Sequence, residues 1–386
     1  MTFNTEAATA HYIDGLGADA LAKAAAYTTG GHWLLLWGLL VTALVTWLIV
    51  RSGLLQRVDR RLGRRGPNFR AFVIGIVFFL VSALLSLPWS LYESWWRETS
   101  YGRTSQPLAD FLGQGLIALL LSAVLGALFM MGVYALIRRT ARTWWVWSAG
   151  LTVIALSALL LVAPLVIEPL FNEFKPVPAG PVRDAIVEMA QRSGVPTDRI
   201  FVYDGSRQSN NFTANVAGLG GSARIAISDV AFKGASLDEV KAVTGHEVGH
   251  YVLGHVWRFV AMAAGFAVLF FFLVDRLFPV FIRAFGGQAA LSDPVGLPVV
   301  LFMVSLFGFL VGPLVNALIR EDEMEADRYS LETVNLPDAL SSALVKTAEY
   351  RNPRPAPLEE ALFYDHPSVE RRVRTAMEWK ASHLAN

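Results

Sequence analysis

Five consecutive residues, His246-Glu247-Val248-Gly249-His250, fit the pattern H-E-x-x-H. Two imidazoles four residues apart lie on one face of a helix and can bind one zinc ion, while the glutamate between them stands beside an open coordination position. A zinc ion in such a site acidifies a water molecule and polarises a carbonyl group, and the glutamate takes the proton. The pattern therefore indicates metal-assisted hydrolysis, with His246 and His250 as ligands and Glu247 as the base.

The same residues also fit a plainer interpretation, in which both histidines are hydrogen-bonded inside a helical core. Gly249 argues against it. A glycine within a helix costs about 1 kcal/mol relative to alanine, so its position between the histidines predicts that another element packs closely against the helix there.

A catalytic zinc site takes three protein ligands, and the chain contains no cysteine, so the third must be His, Asp or Glu. An acidic run from Glu321 to Asp327 follows the last long apolar stretch. Because Glu323 and Asp327 share one helical face, one of them could bind the metal while the other orients a ligating imidazole. Spacing alone does not choose among these acids, and a solvated face at a membrane edge is the alternative explanation of the run.

The composition is that of a membrane protein. Of the 386 residues, 54% are hydrophobic and 17% are charged, far from the average of soluble proteins. The net charge of +1 gives no basic field of the kind that binds nucleic acid, so we expect the lipid bilayer as a partner and no nucleic acid. Six apolar stretches have lengths close to those that cross about 30 Å of hydrocarbon. They are Trp33–Val50, Ala71–Tyr92, Phe111–Ile137, Trp144–Ile167, Phe259–Val274 and Pro294–Ile319.

Between the fourth and fifth stretches the pattern is that of a small α/β domain. Periodic apolar residues predict a helix over Pro181–Ser193 and a strand over Ile200–Tyr203. Two further strands are expected at Ala214–Ala217 and Arg224–Ser228, with a turn in the glycine-rich run 218–221. Ser236 then precedes two acidic residues, which is typical of the start of a helix, and this helix carries the two histidines.

The predicted fold class is thus a mostly α membrane protein of about six transmembrane helices with a small α/β, zincin-like catalytic domain. We divide the chain into five parts. They are an N-terminal tail (1–32), four transmembrane helices (33–170), the α/β catalytic segment (171–257), two further transmembrane helices (258–319) and a helical C-terminal segment that begins with the acidic run (320–386).

Many independent short motifs in the right order resemble those of the integral-membrane CAAX prenyl protease type I family. The motifs are Leu87–Tyr92, Glu168–Pro176, Asp204–Arg207, His246–His255, Asn316 with Arg320, Glu323–Asp327, and His366-Pro367 with Arg372. The resemblance implies a ring of helices around a hydrophilic chamber, with one zinc ion per chain facing inward.

The resemblance also assigns roles to single residues. The family pattern E-x-x-A-D makes Glu323 the third zinc ligand and Asp327 the partner that orients a ligating histidine. His366 is similar to the family's oxyanion-stabilising residue, and Arg372 and Arg320 to its supporting cations. Thr213, Ala214 and Asn215 fall where family members present an edge strand to the substrate backbone.

The arginine distribution and the family resemblance predict opposite orientations of the chain in the membrane. The segment Arg51–Arg70 carries seven arginines, and a second arginine cluster spans Arg138–Arg142. The positive-inside rule makes both cytoplasmic and puts the α/β segment outside. Eukaryotic family members have one more span before the region of Trp33 and a catalytic side that faces the cytosol, so keeping their orientation would put the arginine-rich segment outside.

The leading functional prediction is a membrane-embedded zinc metalloendopeptidase of the bacterial inner membrane that cuts CAAX-type, prenylated peptides. The runner-up is a quality-control protease that acts on peptides or membrane proteins without a prenyl requirement. An intramembrane protease with H-E-x-x-H inside a span is disfavoured by Asp238, Glu239 and Lys241 just upstream. A zinc-stabilised scaffold without activity would not need Glu247, and no stretch has the row of ionisable residues of a channel or transporter.

Overall fold

The computed structural model describes residues 3–194, 196–211, 213–218 and 223–384. The fold is mostly helical, with a small mixed sheet of four strands in the described part of the chain. The helices are α1 (Thr5–Asp14), α2 (Ala18–Ser52), α3 (Leu54–Leu62), α4 (Pro67–Ser90), α5 (Arg97–Ser100), α6 (Leu108–Thr140), α7 (Trp144–Val162), α8 (Pro181–Arg192), α9 (Asp229–Gly234), α10 (Leu237–Val252), α11 (His255–Ala284), α12 (Leu297–Val334), α13 (Pro337–Lys346), α14 (Pro357–Phe363) and α15 (Val369–Leu384).

Six helices within the described residues are long and apolar enough to cross a membrane, which confirms the six predicted stretches. They span Ala18–Ser52, Pro67–Ser100, Leu108–Thr140, Trp144–Leu170, His255–Ala284 and Pro294–Val334. Large apolar side chains point outward along them; Leu84 and Ile154 are each 68% exposed. Such a surface is suited to lipid and costly in water.

Three helices run past the predicted boundaries. The first span begins at Ala18, inside the part divided off as a tail, α11 begins at His255, and α12 continues through residue 320 to Val334. The extensions of α2 and α12 are rich in good helix formers, which continue a helix after its apolar stretch ends. The five-part division stays a prediction, and its limits at 32/33, 257/258 and 319/320 fall within single helices.

The spans pack through small residues. Gly75 of α4 lies against Ala127 of α6, so close that an added Cβ would meet the Cβ of Ala127 at 2.9 Å. Gly126 meets the ring of Phe79 in the same way. Close backbone approach is a common basis of helix association in membranes, where water does not drive apolar surfaces together.

The arginine-rich segments meet at one end of the helical bundle. Arg138, at the end of α6, donates a hydrogen bond to Asn68 at the start of α4. Arg51, at the end of α2, lies against Gly286, which follows α11. The H-E-x-x-H motif lies on α10, between α7 and α11 in the chain, and therefore belongs to the opposite end of the bundle.

The four strands are β1 (Phe174–Pro176), β2 (Ile200–Tyr203), β3 (Ala214–Ala217) and β4 (Arg224–Ser228), in the order β1-β2-β4-β3. The parallel pair is β2 with β4, and the outer two pairs are antiparallel. The three predicted strands and the helix over residues 181–192 are confirmed. Of the predicted glycine-rich turn, residues 219–221 lie outside the described residues.

Helix α10 is fixed at its start and along one face. The helix begins where the sequence predicted, and Ser236 caps it in a reciprocal capping box with Glu239. Gly249 lies against Tyr329 and the Cα of Ala326, where an added Cβ would approach within 3.1–3.3 Å. The close packing predicted from Gly249 is thus confirmed, and its partner is α12.

The C-terminal helices pack with α1 in a second apolar core. An apolar cluster joins α1, α13 and α15 through Ile13, Leu340, Leu344, Val373 and Met377. It anchors α15, which directly follows the segment that carries His366. Residues 5–14 are therefore part of a folded core.

Candidate metal centre and active site

Three side chains from two helices converge on one point. On α10, the Nε2 atoms of His246 and His250 lie 3.2 Å apart. The carboxylate of Glu323, on α12, lies 3.3 Å from each of these nitrogens. The close contact of Gly249 with α12 brings the two helices near enough for this approach. One turn of α10 thus brings both imidazoles to the same carboxylate, as the H-E-x-x-H spacing requires.

The arrangement fits a divalent metal ion. Oε2 of Glu323 is buried and has no hydrogen-bond partner among the described residues, which is costly unless a cation binds it. The carboxylates of Glu247 and Glu323 line the same cavity, so two acidic groups stand beside the position of the ion. Imidazole and carboxylate donors in this number are those of catalytic zinc sites.

Asp327 and Arg372 form a buried pair behind His246. Oδ1 of Asp327 lies 2.9 Å from Nδ1 of His246, and Arg372 donates two hydrogen bonds of 2.7 Å to the same carboxylate. An ionised carboxylate at that distance accepts the Nδ1 proton, so the Nε2 lone pair points to the metal position. Burial acts to lower the pKa of the Arg372 guanidinium, but the charge and hydrogen bonds of Asp327 outweigh burial and raise the pKa overall.

The metal position opens into a cavity of about 340 Å³. Glu247 lines it beside the two histidines. Enclosure raises the pKa of the Glu247 carboxyl, which brings the group closer to the range of an effective general base. For His246, burial lowers the pKa, but hydrogen bonds and charge from Asp327 and Glu323 outweigh burial and raise the pKa to about 10, so a metal ion would bind Nε2 by displacing its proton.

His366 enters the cavity from the segment after α14. Its Nε2 atom lies 3.2 Å from Oε1 of Glu323, and its Nδ1 atom lies 2.8 Å from Oδ1 of Asp365. The two carboxylates lie on opposite sides of the ring, so each ring nitrogen faces a hydrogen-bond acceptor. A donor placed across from the metal position is what a developing oxyanion needs.

Arg320, the other cation predicted to support His366, lies outside the cavity lining. Its guanidinium donates hydrogen bonds to the backbone carbonyls of Glu360, Ala361 and Tyr364, at the end of α14. Asn316, one turn earlier, bonds the carbonyl of Leu362 at 3.2 Å. Both side chains therefore hold the segment that carries His366.

Strand β3 supplies the wall opposite the C-terminal helices. It is the edge strand of the sheet on the side of the cavity, which Thr213 and Ala214 line. The amide of Ser228 donates to the carbonyl of Thr213 at 2.9 Å. Alternation along an antiparallel pair then directs the N–H and C=O of Ala214 away from β4, to the free edge. Asn215 is exposed and outside the cavity lining.

Sequence reasoning missed part of the cavity lining. One wall is an apolar face of α13 and the residues after it: Leu340, Ala343, Leu344, Thr347 and Arg351. The spacing of 340, 343, 344 and 347 is that of a helical stripe, which was a usable signal. The sequence did not tell whether this stripe meets the site or a neighbouring helix.

Two family models match the chain, one after the other. The model described as "CAAX prenyl protease N-terminal, five membrane helices" matches residues 5–173, and the model of peptidase family M48 matches residues 176–380. The second alone covers more than half of the chain, so the protein belongs to peptidase family M48 and is a multi-pass membrane metallopeptidase. Among the described residues, the region of the first model contains four candidate spans.

Curated proteins with similar sequences come from bacteria and eukaryotes. An "uncharacterized metalloprotease YhfN" of Bacillus subtilis is 26% identical over 365 residues, covering 92% of this chain and 85% of that protein. "CAAX prenyl protease 1" of Saccharomyces cerevisiae is 27% identical over 329 residues, covering 79% of this chain and 71% of that protein.

A solved structure shares the fold. The crystal structure of S. mikatae Ste24p superposes with a TM-score of 0.78 at 20% identity, covering 97% of this chain and 94% of that chain. The predicted family and the predicted fold class are therefore confirmed. The family implies a zinc-dependent protease, and His246, His250 and Glu323 are its candidate metal group in this chain.

Proposed function

We propose that the protein is a zinc metalloendopeptidase in which His246, His250 and Glu323 bind one zinc ion and Glu247 is the general base. The observation that carries this proposal is the convergence of two imidazoles and a buried carboxylate within 3.3 Å of one another, beside Glu247 in the same cavity. Zinc content and peptide cleavage, compared between the wild type and Glu247→Gln, test it.

In the proposed mechanism each residue has a separate task. When bound, zinc supplies a Lewis acid that acidifies a water molecule and polarises the scissile carbonyl. Glu247 takes the proton from the attacking water and delivers it to the leaving amine. His366 donates a hydrogen bond to the carbonyl oxygen as it gains negative charge. Asp327 and Arg372 hold His246, and Arg320 holds the segment of His366; these three are positioning residues.

We further propose that the substrate backbone pairs with β3 through Ala214, while Thr213 and Asn215 hold the strand rather than the peptide. Thr213 contacts Tyr203 by a hydrogen bond of 2.9 Å between hydroxyls and bonds Ser228 through its carbonyl. The free N–H and C=O of Ala214 face the cavity edge, which is the arrangement for strand addition.

N-methylation of the substrate tests this pairing. Methylating the one substrate amide that bonds Ala214 should lower kcat/KM about two- to thirteenfold, the loss expected for one hydrogen bond of about 0.5–1.5 kcal/mol. A series of peptides methylated at successive amides is the matched set, because alternate amides face away from an antiparallel partner. Equal losses at every position, or none, would contradict pairing with β3.

For the substrate class we propose CAAX-type, prenylated peptides. A second cavity, of about 770 Å³, lies between α2 and α12 and ends at Asp365, the neighbour of His366. Its lining is mainly apolar and includes Leu35, Leu39, Phe309 and Leu310. An isoprenoid chain attached to a peptide in the active site would bury apolar surface there. Several relatives are named as CAAX prenyl proteases, which supports the same class.

Gly308→Leu tests this assignment. An added Cβ at Gly308 meets open space, so leucine should fill the second cavity without a backbone clash. Displacing about two methylene groups of a bound chain costs about 1.6 kcal/mol, so the preference for a farnesylated over an unmodified peptide should fall more than tenfold in kcat/KM.

Gly265→Leu is the matched control, because Gly265 also faces open space on a membrane helix and lies outside both cavities. An unchanged preference in Gly308→Leu would contradict the isoprenoid site. A wild type that cleaves both peptides equally well would favour the runner-up, quality control of membrane proteins without a prenyl requirement.

We also propose that the protein resides in a bacterial inner membrane with its arginine-rich end in the cytoplasm. The gathering of Arg51, Arg138 and their neighbours at one end supports this orientation, and the Bacillus relative supports the source.

Because the chain has no cysteine, Glu188→Cys and Arg64→Cys each create a unique label site at opposite ends. A membrane-impermeant maleimide should label only the first in intact spheroplasts; labelling of only the second would support the opposite orientation.

A further inference from the structure

A third histidine stands behind the metal ligand His250. Nδ1 of His255 lies 2.8 Å from Nδ1 of His250, and the His255 side chain is 5% exposed. On its other side, Nε2 of His255 lies 3.2 Å from Oε2 of Glu325. The three groups form a continuous line from α12 through the start of α11 to α10.

The proton positions along this line have one consistent arrangement. His250 can bind a metal through Nε2 only if that nitrogen carries a lone pair, so its proton sits on Nδ1. That proton is donated to Nδ1 of His255. A neutral His255 then carries its own proton on Nε2 and donates it to the carboxylate of Glu325. Each hydrogen bond fixes the tautomer of the next ring.

Arg258 sets the position of the carboxylate. Its guanidinium lies 2.7 Å from Oε2 of Glu325 and 2.9 Å from Oδ1 of Asp322. The positive charge of Arg258 favours the ionised form of the Glu325 carboxyl. Arg258 follows His255 by one turn of α11, so both side chains contact the same carboxylate oxygen. The same cation disfavours a second metal ion among His255, Asp322 and Glu325, although their ligand atoms lie close together.

The backbone explains why His255 lies between His250 and a carboxylate of α12. Asp327 contacts His246 directly, whereas Glu325 lies on a different face of α12 from Asp327, two residues away. Gly254 adopts φ +72° between α10 and α11, a left-handed conformation that glycine adopts without strain. This turn places His255 between His250 and Glu325.

We propose that His255 is a positioning residue that fixes the tautomer and orientation of His250 as a metal ligand, with Glu325 as its terminal acceptor and Arg258 as the anchor of Glu325. The inference rests on the proposed function only in taking His250 as a zinc ligand. Each ligating imidazole is then held by a carboxylate. Asp327 contacts His246 directly, and Glu325 acts on His250 through the ring of His255.

The test compares His255→Leu with His255→Gln in the full-length protein in detergent. Leucine removes both hydrogen bonds, and we expect zinc affinity, measured by competition with a chromogenic chelator, to fall about 10- to 100-fold, as for other partners of metal ligands. Glutamine has one acceptor and one donor group in its amide, so it should restore most of the affinity. In Co²⁺-loaded protein, the d–d absorption bands should shift in the leucine variant and return towards wild type in the glutamine variant.

His11→Leu, at an exposed histidine of α1, is the control and should bind zinc as the wild type does. If His255→Leu does not fold, Glu325→Leu replaces it, since that side chain is 44% exposed and its loss should lower zinc affinity several-fold. Equal zinc affinity and cobalt spectra in the wild type and the leucine variants would overturn the inference while leaving the proposed function intact. Two zinc ions per wild-type chain, one of them lost in Glu325→Leu, would also overturn it. A wild type that binds no zinc would instead overturn the proposed function.

Discussion

Glu247→Gln is expected to lower kcat/KM by a factor on the order of 10²–10⁴, the range typical of general base catalysis, while zinc remains bound. Glutamine keeps the size of the side chain and removes the group that takes a proton. The metal group itself, His246, His250 and Glu323, is untouched. Cleavage of a fluorogenic peptide and zinc content by mass spectrometry, measured on the same preparation, check both parts.

Glu332→Gln provides the matched control, because this glutamate is exposed on α12 and does not line the cavity. It should leave cleavage and zinc content unchanged. Retained cleavage in Glu247→Gln would contradict the role of Glu247, and loss of zinc in that variant would mean that Glu247 contributes to metal binding.

Glu323→Gln is expected to weaken zinc binding by more than about 100-fold, beyond the loss typical of an outer partner, and to abolish cleavage with it. The amide has no negative charge, and Oε2 of Glu323 is the buried oxygen that the described residues leave without a hydrogen-bond partner. Zinc titration against a chelator measures the affinity directly, and excess zinc should restore part of the cleavage if the fold is intact.

Glu321→Gln is the matched variant for this second prediction. Glu321 is exposed, two residues earlier on the same helix and in the same acidic run. Its replacement should leave zinc affinity at the wild-type value. If both variants lose zinc to the same extent, the run acts as a diffuse acidic surface and Glu323 is not a specific ligand.

Local patterns predicted a large part of the fold. The apolar stretches and the strands at 200–203, 214–217 and 224–228 are visible because each is bounded by charged or turn-forming residues. The helix start at Ser236 is likewise visible from the acidic residues that follow it. What local patterns missed is where helices end within polar sequence: α2 begins at Ala18 because alanines continue it, although hydropathy gives no signal there.

The site shows the same contrast between local and long-range information. The pairing of His246 with His250 follows from one helical turn, but the choice of Glu323 among neighbouring acids depended on family resemblance. Arg320 illustrates the limit: the family resemblance made it a cation that supports His366, and its contacts with the backbone carbonyls at the end of α14 could not be derived from the sequence. The contact between His250 and His255 depends on the turn at Gly254 and on the position of α12, and neither can be derived from the spacing of the two histidines.

The measurement that tests the central claim most directly is the zinc content of the purified wild type together with its cleavage activity before and after chelation. We predict about one zinc ion per chain, loss of cleavage when the metal is removed, and recovery when about one equivalent of zinc is restored. A protein that holds no zinc, or that cleaves peptides equally well without it, would contradict the assignment of His246, His250 and Glu323 as the centre of a zinc peptidase.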